Sequence, residues 1–157
     1  EISCSLVGSE MCIRDRHYAD LVECLPYDDA VYMLKVTGTQ LERMVRHILR
    51  DEAFQGEHTE FYQFSHGMHI VWSRREQTFR TLTLDGETLY ADRLYTVAMQ
   101  KYHYNNLKPF LNITLEEVEK NGKIRVLSTS ARDVVEEYLM VNQHLSRQVE
   151  GRLVVED

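Results

Sequence analysis

The stretch VYMLKVTGTQLERMVRHIL, residues 31–49, decides the fold. Val31, Met33 and Lys35 alternate with Tyr32, Leu34 and Val36, a short apolar run that reads as a largely buried strand. It ends at Thr37-Gly38. Thr39 followed three residues later by Glu42 forms a capping-box pattern, and Leu41, Met44, Val45, Ile48 and Leu49 then recur at helical spacing. This spacing predicts a helix over about residues 40–52. Past it, Gly56 and its polar neighbours break the pattern. Phe61 to Phe64, Met68 to Ser73 and Phe79 to Leu84 are rich in β-branched and aromatic residues and read as strands.

Asp85-Gly86 supplies a turn into a short strand at Thr88 to Tyr90, and Tyr95 to Met99 reads as another buried strand. Thr114 with Glu117 caps a short helix, and Ile124 to Leu127 returns to strand. Ser130 with Asp133 opens a second long helix bearing Val134, Val135, Tyr138 and Leu139. Arg152 to Val155 is a final strand. The expected class is α+β, with a mixed sheet or two sheets packed against two long helices, because the regular βα alternation of a doubly wound fold is missing.

Composition sets the outer limits. The chain has 157 residues, 43% apolar and 27% charged, with only two prolines, as expected of one globular domain. Its net charge of −7 gives no electrostatic reason to bind nucleic acid or an anionic membrane surface. No apolar run approaches the ~20 residues that a bilayer span requires.

Residues 1–16, EISCSLVGSEMCIRDR, read separately from the rest. The stretch Leu6 to Arg16 resembles the translation of a transposase-type sequencing-library adapter, and residues 1–16 are expected to be a non-native tail. Residues 17–157 are then one domain with 16 basic and 22 acidic side chains, net −6. They begin at His17 without a methionine or a signal peptide, so the chain is expected to be a fragment. Cys24 is the one cysteine of that domain, so no disulfide is expected within residues 17–157 and cysteine usage points neither to nor away from an oxidising compartment.

Seven histidines invite a metal-site reading. His66 and His69 are three apart in an expected strand, which puts them on opposite faces, and neither a Cys-x-x-Cys pair nor a His-Glu-x-x-His helix occurs. Asp15-Arg16-His17 mimics the Asp-x-His of metallophosphatases but sits on the tail junction, without the companion ligand motifs. There is no Gly-x-Ser-x-Gly, no Walker loop and no Gly-x-Gly-x-x-Gly. Ser128-Thr129-Ser130 reads as a strand-to-helix turn and Asp28-Asp29, beside Pro26, as another turn. No catalytic residue and no metal ligand is assigned.

Two loop-like segments at strand ends remain. One is Leu25-Pro26-Tyr27-Asp28-Asp29, and the other runs from Gln100 through Lys101, Tyr102 and His103 to Phe110. Tyrosines on two such loops can sandwich a flat ring, each stack being worth ~1–3 kcal/mol by truncation. Taken alone, Tyr27 and Tyr102 read more simply as amphipathic lids on the core.

Five segments in order resemble the signature stretches of the 5'-nucleotidase C-terminal domain. They are Val22-Glu23-Cys24-Leu25-Pro26-Tyr27, Leu34-Lys35-Val36-Thr37-Gly38-Thr39-Gln40-Leu41, Gln63-Phe64-Ser65-His66-Gly67-Met68, Leu94-Tyr95-Thr96-Val97-Ala98-Met99 and Val149-Glu150-Gly151-Arg152-Leu153. The resemblance implies a layered α/β sandwich that binds the nucleoside of a nucleotide between two aromatics, which fall on Tyr27 and Tyr102. It implies a parent enzyme of the nucleotidase, UDP-sugar hydrolase or 2',3'-cyclic phosphodiesterase type. There an N-terminal metallophosphatase domain with two divalent metal ions performs the hydrolysis, and this fragment alone is inactive. The implied partners are the nucleotide and that domain, and the family is mostly exported. Where the family has Gly-Gly-Asp-Gly this chain has Asn106-Leu107-Lys108-Pro109, so Lys108 replaces the acid on the ribose hydroxyls, with Asn105 and Asn106 as substitutes. The rival expectation is a binding or scaffolding module that has lost nucleotide recognition.

Overall fold

The computed structural model describes residues 18–55, 62–142, 145 and 148–157. The expected non-native tail and Phe61 lie outside the described residues. Helix α1 (Tyr18–Cys24) leads through Leu25–Asp29 into β1 (Val31–Thr37), which passes directly into α2 (Gly38–Ile48) and a single 3-10 turn at Asp51–Phe54. Strands β2 (Met68–Ser73), β3 (Thr78–Leu84), β4 (Glu87–Thr88) and β5 (Leu94–Gln100) follow. Three short helices, α3 (Lys101–Asn105), α4 (Leu107–Leu111) and α5 (Leu115–Asn121), precede β6 (Arg125–Ser128), α6 (Ala131–Val141) and β7 (Leu153–Glu156).

The strands form two sheets. One is antiparallel in the order β5-β1-β6. The other, in the order β4-β3-β2-β7, is mixed, with β7 running parallel to β2. The α+β class with two sheets and helices is thus the observed one. Asp85 and Gly86 both take positive φ (51° and 81°), the geometry that joins β3 to β4 with the right twist.

Two apolar clusters share one wall. Leu34, Val36 and Tyr95 meet Met44, Leu107, Leu111, Ile113 and Val118, while Ile70, Trp72 and Met68 meet Val45 and Leu49. Met44, Val45 and Leu49 all lie on or just past α2, and Leu41 and Ile48 touch both clusters. The helical spacing in the sequence is therefore the spacing of a helix packed on both cores.

Local details correct four expectations. The capping box of α2 is Thr37 with Gln40, not Thr39 with Glu42: the Gln40 amide donates to Thr37 Oγ1 (3.2 Å) and the Thr37 amide to Gln40 Oε1 (2.8 Å). The helix starts two residues early because Gly38 is buried against Tyr90, whose carbonyl oxygen would lie 2.1 Å from any Cβ at position 38. Thr39 instead donates its hydroxyl to the Ala91 carbonyl. Tyr62 to Phe64 form no strand. Residues 101–111 are two short helices rather than a loop, anchored by buried Leu107 and Leu111. Of β5 only Tyr95 is buried, because the strand is a sheet edge.

The expected cap of α5 is present and does more than cap. Glu117 accepts from the Thr114 amide (2.8 Å) and hydroxyl (3.1 Å), and also from Arg43 Nη2 of α2 (2.6 Å). These bonds, Arg43 foremost, lower its pKa from 4.5 to about 2. A carboxyl depressed in the folded state contributes stability that is complete above pH 4.5 and lost as pH falls toward 2. The Arg43–Glu117 pair is partly solvated, which limits its worth. Glu117→Gln should therefore cost about 1–2 kcal/mol at neutral pH, by denaturant unfolding, and progressively less as the pH approaches 2. A difference independent of pH would contradict this account.

Candidate functional site

The segment Leu25–Asp29 lies between the end of α1, where the Leu25 amide donates to the Leu21 carbonyl, and the start of β1. Tyr102 sits in the first turn of α3, directly after β5. Strands β1 and β5 pair antiparallel with Val31 opposite Gln100, so the residues before Val31 and after Gln100 emerge at the same end of the sheet. The Lys101 amide extends this pairing by donating to the Ala30 carbonyl at 2.7 Å.

Side chains then fix the two segments. Asp29 Oδ2 accepts the Tyr102 amide at 2.6 Å and Oδ1 accepts the amide of Ala30 at 3.0 Å. Asp28 Oδ1 accepts the Ser130 hydroxyl (2.9 Å) and the Arg132 amide (3.2 Å) at the start of α6. These two bonds, the Arg132 amide first, hold the Asp28 carboxyl below the usual carboxylate range. The Arg132 guanidinium donates to the Leu25 and Pro26 carbonyls at 2.9 and 3.2 Å. The two aspartates read as a simple turn are thus N-terminal partners of two helices. Their partners on those helices lie 73 and more residues away, so no local pattern in the sequence announces them.

Tyr27 is 85% exposed and Tyr102 51% exposed, and both line one cavity of about 1580 Å³. The Tyr102 ring leans on Phe110 (centroids 5.4 Å apart) and meets His103 edge-on at 5.5 Å. The cavity continues past Gln63, Phe64 and Ser65 toward apolar side chains of α2 and the three-stranded sheet, such as Met44, Val97 and Met99. Its third wall is braced from the far end of the chain. Arg152 Nη1 donates to the Phe64 carbonyl (2.6 Å) and its Nε to Glu150 Oε2 (2.8 Å), with His66 Nδ1 3.2 Å from the same oxygen. Arg152, then His66, brings the Glu150 pKa from 4.5 to about 2.

The other candidate residues lie apart from this cavity. Asn106 donates its side-chain amide to the Tyr102 carbonyl (2.8 Å), and the Lys108 ammonium donates to Asn112 Oδ1 (2.9 Å). Asn105 closes α3. None of the three is among the lining residues. Among the described residues no group of three or more His, Cys, Asp or Glu side chains converges as a metal site. The arrangement offers two exposed aromatic rings, apolar depth and polar rims.

Ser130 serves two segments at once, accepting from the Asp133 amide (2.9 Å) and donating to Asp28. Ser130→Ala removes both bonds and should lower stability by about 1–2 kcal/mol, measured by chemical denaturation. A neutral effect would show that the bonds to α6 are dispensable.

The profile of the family described as "5'-nucleotidase, C-terminal domain" matches residues 16–112. The fold is similar to a 5'-nucleotidase precursor from Thermus thermophilus, with a TM-score of 0.73 and 15% identity over 93% of this chain and 30% of that one. It is also similar to a protein described as a 5'-nucleotidase from Staphylococcus aureus in complex with alpha-ketoglutarate, with a TM-score of 0.60 and 12% identity over 88% of this chain and 29% of that one. The chain thus spans about 30% of the length of these solved structures. No curated protein matches it.

Proposed function

Because this chain belongs to the family of 5'-nucleotidase C-terminal domains, we propose that it binds the nucleoside part of a nucleotide whose phosphate is hydrolysed on a separate domain. The observation that carries this reading is the placement of two exposed tyrosine rings, Tyr27 and Tyr102, on one cavity. A base between them gains a stacking face from each ring. In this proposal residues 17–157 form the binding domain and residues 1–16 take no part.

The parent activity belongs to the same proposal. Two divalent metal ions on the other domain would supply the activated water. This chain's share is to hold the base so that the phosphate reaches them, and on its own it would turn nothing over. Ribose contacts are proposed for Asn105, Asn106 and Lys108. Lys108 can donate to a hydroxyl but cannot accept from it. That none of the three lines the cavity favours a second reading, a module that no longer selects nucleotides. None of the described helices is long and apolar enough to cross a membrane, and export is proposed from the family alone.

The deciding experiment is calorimetric titration of the 157-residue chain with adenosine 5'-monophosphate and with ribose 5-phosphate as a base-free control. Tyr27→Ala or Tyr102→Ala should each weaken binding of the nucleotide by roughly ten- to hundredfold, or ~1–3 kcal/mol, while the Phe variants lose far less. The base-free ester should be indifferent to either change. Equal losses on both ligands, with a lowered melting temperature, would identify the rings as core lids. Absence of nucleotide binding by the unmutated chain would favour the second reading. Nucleotide hydrolysis that is lost on mutating a residue within 17–157 would overturn the assignment of catalysis to another domain.

A further inference from the structure

Every residue around Tyr27 is fastened, while the Tyr27 ring is left in solvent. Arg132 grips both sides of it. The guanidinium donates to Leu25 O through Nη2 (2.9 Å) and Nε (3.3 Å) and to Pro26 O (3.2 Å), while the Arg132 amide donates to Asp28 Oδ1. The Ala131 amide adds a bond to the Asp29 carbonyl at 2.9 Å. Three successive residues opening α6, Ser130, Ala131 and Arg132, therefore bind four of the five residues Leu25–Asp29, all but Tyr27.

Asp29 makes the second connection. One carboxylate spans from the segment that carries Tyr27 to the backbone amide of Tyr102 itself. The backbone segments that carry the two rings are thus linked through a single side chain, over a gap of 73 residues in sequence. Gln100, the N-cap residue of α3, offers no side-chain bond to that helix, so Asp29 supplies a bond that the local sequence lacks.

We propose that Arg132 and Asp29 are positioning residues of the base site, holding the segment of Tyr27 against α6 and against the Tyr102 amide so that the backbones that carry the two rings are set before a ligand arrives. The inference rests on the base-binding reading above. Its physical content is that folding, rather than binding, meets the cost of ordering residues 25–29. Neither residue needs to touch the base. Each acts through a tyrosine.

The test is a double-mutant cycle on the 157-residue chain, with adenosine 5'-monophosphate as the probe. Arg132→Lys keeps the charge but cannot reach two carbonyls in a fixed fork. Asp29→Asn keeps the shape but offers one acceptor oxygen instead of two. Each should weaken binding by about two- to tenfold in the unmutated background. Combined with Tyr27→Ala, Arg132→Lys should cost nothing further, because the residue it positions is gone. A general loss of fold would add the same penalty in both backgrounds, and that additivity would overturn the proposal, as would undiminished affinity in both single variants. If the unmutated chain fails to bind the nucleotide, the base-binding reading falls and this inference with it. Binding by the parent that is unaffected by either variant sinks this inference alone.

Discussion

Helix α2 places Met44 in the core of the three-stranded sheet and Val45, with Leu49 just beyond its end, in the core of the four-stranded sheet. One eleven-residue helix therefore serves as a wall for both apolar clusters. Burying an aliphatic side chain of this size contributes ~1.5–3 kcal/mol, so the few residues of this face outweigh any surface ion pair in the molecule. The helix cannot slide, because Gly38 is pressed against the Tyr90 carbonyl and Thr37 is both the last residue of β1 and the cap of α2. Fixing α2 in turn fixes β1, and the β1–β5 register determines that Ala30 and Lys101 emerge side by side. The placement of Tyr27 and Tyr102 on one cavity is a consequence of core packing two elements away.

What was legible in the sequence is what is encoded within a few residues. Thr114 with Glu117 and Ser130 with Asp133 cap helices where expected, and Asp85-Gly86 makes the expected turn. Around α2 the sequence holds two overlapping capping patterns, Thr37 to Gln40 and Thr39 to Glu42. Tertiary contact chose between them, since the strand runs on to Thr37 and Thr39 bonds to Ala91 instead. Helices α3 and α4 were illegible for the opposite reason. Five residues are too few for periodicity, and Lys108-Pro109 reads as a breaker. Their stability comes from buried Leu107 and Leu111 and from Asp29, which no window around residue 105 contains. The same holds at the site, where the tyrosines stand out beside apolar strands but the Asp28–Arg132 contacts join segments about a hundred residues apart.

In the proposed reading the acids beside the cavity serve recognition by holding its frame. Asp28 and Asp29 are engaged with backbone amides and a hydroxyl, and Glu150 with Arg152, so these acids near the cavity act as fasteners. With a net charge of −7 the chain has no long-range attraction for a phosphate-bearing ligand. Selectivity for a nucleotide in the proposed role must then come from short-range contact with the base, which is what exposed rings on a rigid frame supply.

The central claim is that one flat ring sits between Tyr27 and Tyr102. Intermolecular nuclear Overhauser effects between adenosine 5'-monophosphate and the isotopically labelled chain test it most directly. The account predicts contacts from the base protons H2 and H8 to the ring protons of both tyrosines in a single bound state. Contacts to neither ring, or only from the ribose to residues elsewhere on the surface, would contradict it.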